Sequence, residues 1–175
     1  MKVARETLTL SREERMEFLD VTKQIRDVIQ KHPITDGIVL VNSLHTTVAL
    51  FVNEFQGALI EDLKNMVSNL VGERNGYRHD DPRYSDCERG NAHAHLRAAL
   101  LGRSVAVGLS GGEFSLGRFQ SIIFAELDGP PSPADRRPDH GGIATLSLLP
   151  CLATRESTRE GARHGRLRFH RWPSR

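Results

Sequence analysis

Gly37-Ile38-Val39-Leu40-Val41-Asn42, Ser43-Leu44-His45, Thr46-Thr47-Val48-Ala49-Leu50-Phe51-Val52 is the run that decides the fold. Both flanks are short, apolar and β-branched, the chemistry of strands. Asp36-Gly37 is a turn signal where the first begins. They read as two β segments around Ser43-Leu44-His45. Toward the N-terminus, Thr7-Leu8-Thr9-Leu10 and Met16-Glu17-Phe18-Leu19 have strand character and read as a hairpin across the polar Ser11-Arg12-Glu13-Glu14. Asp20 suits an N-cap. Val21, Ile25, Val28 and Ile29 then form one stripe of an amphipathic helix that must stop by Pro33.

Toward the C-terminus, Leu59, Leu63, Met66, Val67 and Leu70 share one helix face, with Gly72 at the C-cap position. From Glu73 to Gly90 the periodicity vanishes into a polar stretch rich in Asp and Arg, and loops of that length tend to be functional or unstructured. Asn91 is placed to cap a helix reaching Leu101, which Gly102 stops. Ser104 to Leu109, Glu113 to Leu116 and Phe119 to Leu127 read as strands, the first two joined by a turn at Ser110-Gly111-Gly112. Strands outnumber the roughly three helices, and no βαβα alternation appears. The expected class is α+β with a mainly antiparallel sheet.

A chain of 175 residues supports one core, and 38% hydrophobic residues suffice to build it. No apolar run approaches the roughly 20 residues of a membrane helix. The N-terminus lacks a basic stretch followed by an apolar core, so a cytoplasmic address is expected. Cys87 and Cys151 are too few and too far apart for a disulfide framework or a zinc knuckle. Residues 1–128 hold 15 Lys and Arg against 18 acidic groups, whereas residues 129–175 hold 9 Arg against 4 acidic groups and six of the eight prolines. The tail therefore sets the pI of about 8.7. A basic arm can touch phosphates, but this composition reads first as a solvated extension, and nucleic acid is not the expected partner. Within it, Ile143 to Leu149 is the one candidate strand, and beyond Pro150 no fixed structure is expected.

Three histidines sit at or beside element ends: His45, His79 and His95. Three imidazoles on a zinc-like ion leave a position for water or substrate, although these residues can equally be hydrogen-bonded histidines. His93, two residues from His95, points to a different helix face. Glu54, Asp62, Asp80, Asp81, Asp86, Glu126 and Asp128 are the accompanying carboxylates, available to orient an imidazole or to move a proton. Gln120, opening an apolar strand, either meets a ligand or closes a turn. Cys87 lacks an identifiable orienting partner for a nucleophile.

Leu44-His45-Thr46-Thr47 with Asn53-Glu54, Tyr77-Arg78-His79-Asp80, Ala94-His95-Leu96 with Leu101-Gly102-Arg103-Ser104, and Leu116-Gly117-Arg118-Phe119-Gln120 ending in Glu126-Leu127-Asp128-Gly129-Pro130 together resemble the YjbQ family. The resemblance implies a compact domain over residues 1–130, a homotrimer, a histidine-lined cleft holding a divalent metal, and secondary thiamine-phosphate synthase activity. That reaction joins a pyrimidine diphosphate to a thiazole phosphate and releases pyrophosphate. Carried over by position, the metal ligands are His45, His79 and His95, and the motif carboxylates are Glu54 and Asp62. Gln120 stands in the motif written Gly-x-Trp-Gln, where Phe119 replaces the indole. Arg78, Arg97 and Arg118 are candidates for contact with a phosphorylated substrate. The closing Asp-Gly-Pro-Arg-Arg becomes Asp128-Gly129-Pro130-Pro131, with Arg136 and Arg137 beyond an insertion. Residues 131–175 form a Pro/Arg-rich extension, and loss of a strand at 143–149 is expected to weaken the sheet edge. Imidazole ligands favour zinc, whereas pyrophosphate departure usually uses magnesium on oxygens. Two alternatives stay open: a zinc-dependent hydrolase of another substrate, and a non-enzymatic trimer that binds a metal or ligand.

Overall fold

The computed structural model describes residues 4–10, 14–129 and 142–150. The chain runs β1 (Ala4–Leu10), β2 (Glu17–Asp20), α1 (Thr22–Ile29), β3 (Gly37–Ser43), β4 (Val48–Asn53), α2 (Gly57–Leu70), a 3-10 turn (Arg78–Asp80), α3 (Ala92–Leu101), β5 (Ser104–Ser110), β6 (Glu113–Phe114), β7 (Ser121–Glu126) and β8 (Gly142–Pro150). Five strands form one sheet in the order β1-β8-β3-β5-β6, and three form another in the order β2-β7-β4. Every pairing is antiparallel. With three helices, this is an α+β fold on a single domain.

Alternation along the strands explains the layering. On β7, Ile122 and Phe124 belong to the core shared with Val39, Val41 and Val107, while Ile123 and Ala125 belong to a second core with Ile60, Ala94 and Ala98. Successive strand residues face opposite sides, so an unbroken apolar run fits only a sheet covered on both faces. The three-stranded sheet is therefore the middle layer, between the larger sheet and helices α2 and α3. Val48 and Leu50 of β4 face one core and Ala49 the other by the same rule.

The two segments of the opening run consequently separate: β3 joins the larger sheet and β4 the smaller. The hairpin expected at the N-terminus is also absent, because β1 pairs with β8 and β2 with β7. Phe18 and Leu19 of β2 pack into different cores, which places that strand in the middle layer. On β1, Ala4, Leu8 and Leu10 pack into one core only, as suits an outer sheet. The turn between β5 and β6 does form as a two-residue hairpin, with Ser110 opposite Glu113 and both Gly111 (φ 58°) and Gly112 (φ 82°) in the left-handed region.

Helix α1 buries Val21, Ile25, Val28 and Ile29 as the stripe predicts. Asp20 acts one residue before the cap: its Oδ1 accepts the Thr22 N–H at 2.9 Å, and its Oδ2 accepts the Ser121 hydroxyl at 2.8 Å. Burial alone raises the Asp20 pKa, but the Thr22 and Ser121 hydrogen bonds and the charge of Arg26 outweigh it, and the net shift is downward. The contribution is thus complete above the ordinary carboxylate range and is lost as pH falls through the lowered folded-state value. Asp20→Ala is expected to cost about 1 kcal/mol, the scale of a lost cap, with the deficit shrinking in acid. Chemical denaturation at neutral and acidic pH measures both.

On α2 the buried residues are Ile60 and Val67, whereas Met66 and Leu70 are 44% and 66% exposed. The packed stripe is displaced from the expected one because Ile60, Leu63 and Val67 also satisfy helical spacing; Ile60 and Leu63 face the middle sheet, and Val67 is buried one turn on. The helix ends at Val71, not at Gly72.

Candidate functional site

Helix α3 is built to lie close on the middle sheet. Ala94 and Ala98 meet Ala49 and Ala125 in the second core, and such small side chains let helix and strands approach. Asn91 stands at the N-cap position, but its side chain makes no capping hydrogen bond. Its amide instead donates to Asp128 Oδ2 at 2.6 Å, where Arg89 also binds at 3.0 Å. The free Ala92 N–H goes to Asp80 Oδ1 at 2.9 Å, so a loop carboxylate satisfies the helix start. At the other end of the loop, Arg97 Nε and Nη2 clamp the Val71 carbonyl at 3.0 and 2.9 Å. Tyr77 donates to the Gly72 carbonyl at 2.9 Å. The polar stretch that lacks periodicity is thus fixed by side-chain-to-backbone bonds at both ends.

This arrangement brings His79 and His95 together, with ring centroids 5.0 Å apart and planes tilted by 51°. Asp80 Oδ1 lies 3.4 Å from His79 Nδ1. Two imidazoles at that spacing suit a shared zinc-like ion or a proton relay better than they suit magnesium, which prefers oxygen. The third expected ligand, His45, follows β3, and its Nε2 is buried without a hydrogen-bond partner. Among the described residues, no three of His, Cys, Asp and Glu are gathered closely enough to hold a metal ion. One chain therefore supplies a histidine pair, not the closed three-histidine set.

The remaining expected residues are dispersed. Glu54 and Asp62 are exposed, and neither side chain makes a hydrogen bond or ion pair among the described residues. Gln120 closes a turn: its Oε1 accepts the Gly117 N–H at 2.8 Å. Arg78 lies over the Tyr84 ring and Arg118 over Phe119. Arg97 is 2% exposed and serves the Val71 carbonyl. Cys87 Sγ lies 3.7 Å from Asn91 Oδ1.

Beside the pair, the 71–90 loop and α3 enclose a polar cleft of about 660 Å³ whose lining includes Arg15, Arg74, Tyr77, Asp80, Arg83 and His93. His93 is 1% exposed, and its Nδ1 has no hydrogen-bond partner. Burial, with the nearby Arg97 charge, pushes the His93 pKa down and keeps the ring neutral near pH 7. Sequence reasoning separated His93 from His95 correctly but gave the chemistry only to His95. The signal it passed over is the i, i+4 spacing of His93 and Arg97, which places both on the face beneath the loop.

Residues 6–138 match the family model described as UPF0047 protein YjbQ-like. The chain belongs to the YjbQ family. A UPF0047 protein of Archaeoglobus fulgidus is 42% identical over 123 residues, covering 70% of this chain and 90% of that one. The UPF0047 protein YugU of Bacillus subtilis is 31% identical over 124 residues, covering 71% and 89%. Among solved structures, that of a YbjQ-like protein of unknown function from Sulfolobus solfataricus superposes with a TM-score of 0.73 at 29% identity, covering 85% of this chain and 98% of that one. A hypothetical protein from Aeropyrum pernix gives 0.69, also at 29% identity, over 86% and 99%. Among the described residues of this YjbQ-family chain, no helix is long and apolar enough to cross a membrane.

Proposed function

We propose that this chain is a transferase acting on phosphorylated small molecules, of the thiamine-phosphate synthase kind, with His79 and His95 at its centre. The observation that carries the reading is the approach of those two rings, drawn from a loop and a helix and 5.0 Å apart. The donor pair that would hold a zinc-like ion is His79 and His95; His45, whose Nε2 lacks a partner, does not join them within one chain. An ion held by that pair would supply charge neutralisation to a leaving pyrophosphate. The chain's own contribution is orientation and proton handling. Asp80 fixes one edge of His79 while anchoring the start of α3, so the imidazole is held against a rigid element. The reading includes a homotrimer, supported by Met66 and Leu70 on α2 and Leu96 and Leu100 on α3, which are exposed apolar pairs one helical turn apart.

The test is a His79→Ala, His95→Ala double variant beside the parent, each analysed for bound metal and for thiamine-phosphate formation from the pyrimidine diphosphate and the thiazole phosphate. The parent is expected to carry zinc and to turn over, and the variant to lose the metal and at least about a hundredfold in rate. Release of phosphate from a labile ester without condensation selects the hydrolase instead. Equal rates in parent and variant overturn the assignment of the pair.

A further inference from the structure

An asparagine side chain is open to attack by the main-chain nitrogen of the residue after it when that nitrogen is unbonded, uncrowded and in water, and asparagine is thermolabile for this reason. Asparagine occurs six times in the chain, and at five of these positions the next amide is already committed. Ser43 N–H donates to the Arg103 carbonyl, Glu54 N–H to Asn53 Oδ1 and Ala92 N–H to Asp80 Oδ1, each at 2.9 Å. Met66 and Leu70, which follow Asn65 and Asn69, lie within α2, where the helical ladder holds their amides. Each of the five also carries a side chain beside its nitrogen.

Asn75 differs on every count. It precedes Gly76, both residues are exposed, and the Gly76 N–H donates to no group among the described residues. Gly76 has φ 64°, a conformation suited to glycine, and a Cβ placed there would meet nothing within 4 Å, so its nitrogen stands in open space. Among the described residues the Asn75 side chain has one hydrogen bond, from its Nδ2 to the Tyr77 hydroxyl at 3.3 Å.

We infer that Asn75-Gly76 is a site of spontaneous covalent modification, deamidation through a cyclic imide, in the loop that carries His79. Hydroxide removes the Gly76 N–H proton and the nitrogen attacks Asn75 Cγ. The N–Cγ bond forms, the Cγ–Nδ2 bond breaks, and Nδ2 takes a proton from water and leaves as ammonia, restoring the hydroxide. Water then opens the imide. Attack at Cγ leaves aspartate on the original backbone, and attack at the main-chain carbonyl leaves isoaspartate, whose backbone runs through the side chain. The sum is an amide and water giving a carboxylic acid and ammonia, with nothing oxidised or reduced.

The product acts on a particular hydrogen bond. The Tyr77 hydroxyl accepts from Asn75 Nδ2 and gives its own proton to the Gly72 carbonyl at 2.9 Å. A carboxylate at residue 75 has nothing to donate and is a stronger acceptor than a neutral carbonyl, so it draws that proton away from Gly72. A tie at the start of the loop is then lost. The new charge also falls on a cleft lining in which Arg15, Arg74 and Arg83 balance Glu73, Asp80 and Asp81. The modification stands apart from the catalytic reading and rests on it only for the effect on activity, through the placing of His79.

The experiment incubates the full chain in mildly alkaline buffer and follows it by peptide mass mapping, with enzymatic methylation of isoaspartate to separate the two products. Conversion is expected at Asn75 alone, with both products formed, and is expected to vanish in Asn75→Gln, whose longer side chain closes a larger and less favoured ring. Asn75→Asp, the product with the normal backbone, is expected to speed amide hydrogen exchange over residues 77–81 several-fold, where the Asp80 and Asp81 N–H groups donate to the Tyr77 and Arg78 carbonyls. Asn75→Gln keeps the donor and is expected to exchange at the parental rate. A parent that stays unconverted while a free peptide of residues 72–79 converts overturns the proposal, as does conversion at another asparagine at an equal or higher rate. Exchange in Asn75→Asp equal to that of the parent overturns the part assigned to the Tyr77 hydroxyl. Aged protein converted at Asn75 but unchanged in thiamine-phosphate formation leaves the modification standing and overturns the loop as the support of a catalytic His79.

Discussion

Ending the chain after Gly129 is expected to abolish the fold. β8 lies between β1 and β3, pairing Ala4 through Leu10 on one side and Gly37 through Ser43 on the other. Without it β1 has no neighbour in the sheet and β3 loses one of its two ladders. Val39 and Val41 sit at the core beneath that ladder, both fully buried, with Leu8 and Leu10 of β1 packed on the same core. Exposing even four such side chains costs about 1.5–3 kcal/mol each, which approaches or exceeds the ~5–15 kcal/mol that holds a typical domain together. The expected result is loss of cooperative thermal unfolding and of near-UV circular dichroism in the chain ending at Gly129. A chain ending after Pro150 retains every described strand pairing and is the control. A cooperative transition within a few degrees of the parent in the shorter chain would show that the sheet closes without β8.

That expectation corrects the role the sequence suggests for the strand, which is an edge. Alternation in Ile143 to Leu149 marks a strand but not its neighbours, since sheet order is set by which core faces match across the whole molecule. The same limit explains the separation of β3 from β4 and of β1 from β2. Each element is legible from its own residues, whereas membership of the middle or outer layer depends on whether both faces find a covering layer. Helix α2 shows the limit in another form, because two overlapping stripes satisfy helical spacing and only the packed structure chooses Ile60 and Val67. At the site, their places at or beside element ends marked His79 and His95 as candidates but said nothing of their approach, which depends on Asp80 and Arg97 fixing an aperiodic loop. Glu54, Asp62 and Gln120 were candidates as polar groups at or near element ends and again as positions of the family motifs. Their positions in one chain place the carboxylates on the surface and the amide in a turn, where no local pattern distinguishes chemistry from scaffold.

Gly129→Ala is expected to destabilise the protein by about 3 kcal/mol, the upper range for forcing volume into a packed site. A Cβ at residue 129 would collide with the Glu14 carbonyl oxygen and lie 2.9 Å from Arg15 Cα and 3.1 Å from the Arg15 carbonyl oxygen. All three atoms are backbone, so no rotamer change relieves the contact. The Gly129 N–H donates to that same Arg15 carbonyl at 2.8 Å, just beyond the β2–β7 ladder in which Glu17 faces Glu126. Movement to make room must therefore break the bond or shift the strand entrance. Asp128, immediately before, holds Asn91 and Arg89 at the start of α3, so the displacement propagates to the helix that carries His93 and His95. Arg15 itself lines the cleft beside α3. The melting temperature should drop by about 10 °C, given a few degrees per kcal/mol in a domain of this size. Gly57→Ala is the matched comparison: nothing lies within 4 Å of the added Cβ, and the helical position favours alanine, so stability holds or rises slightly. A Gly129→Ala protein that melts within a degree or two of the parent would mean that the approach of residues 14 and 15 to residue 129 is not a constraint of the fold. The glycine of the Asp-Gly-Pro motif would then need another explanation than close packing of two backbones.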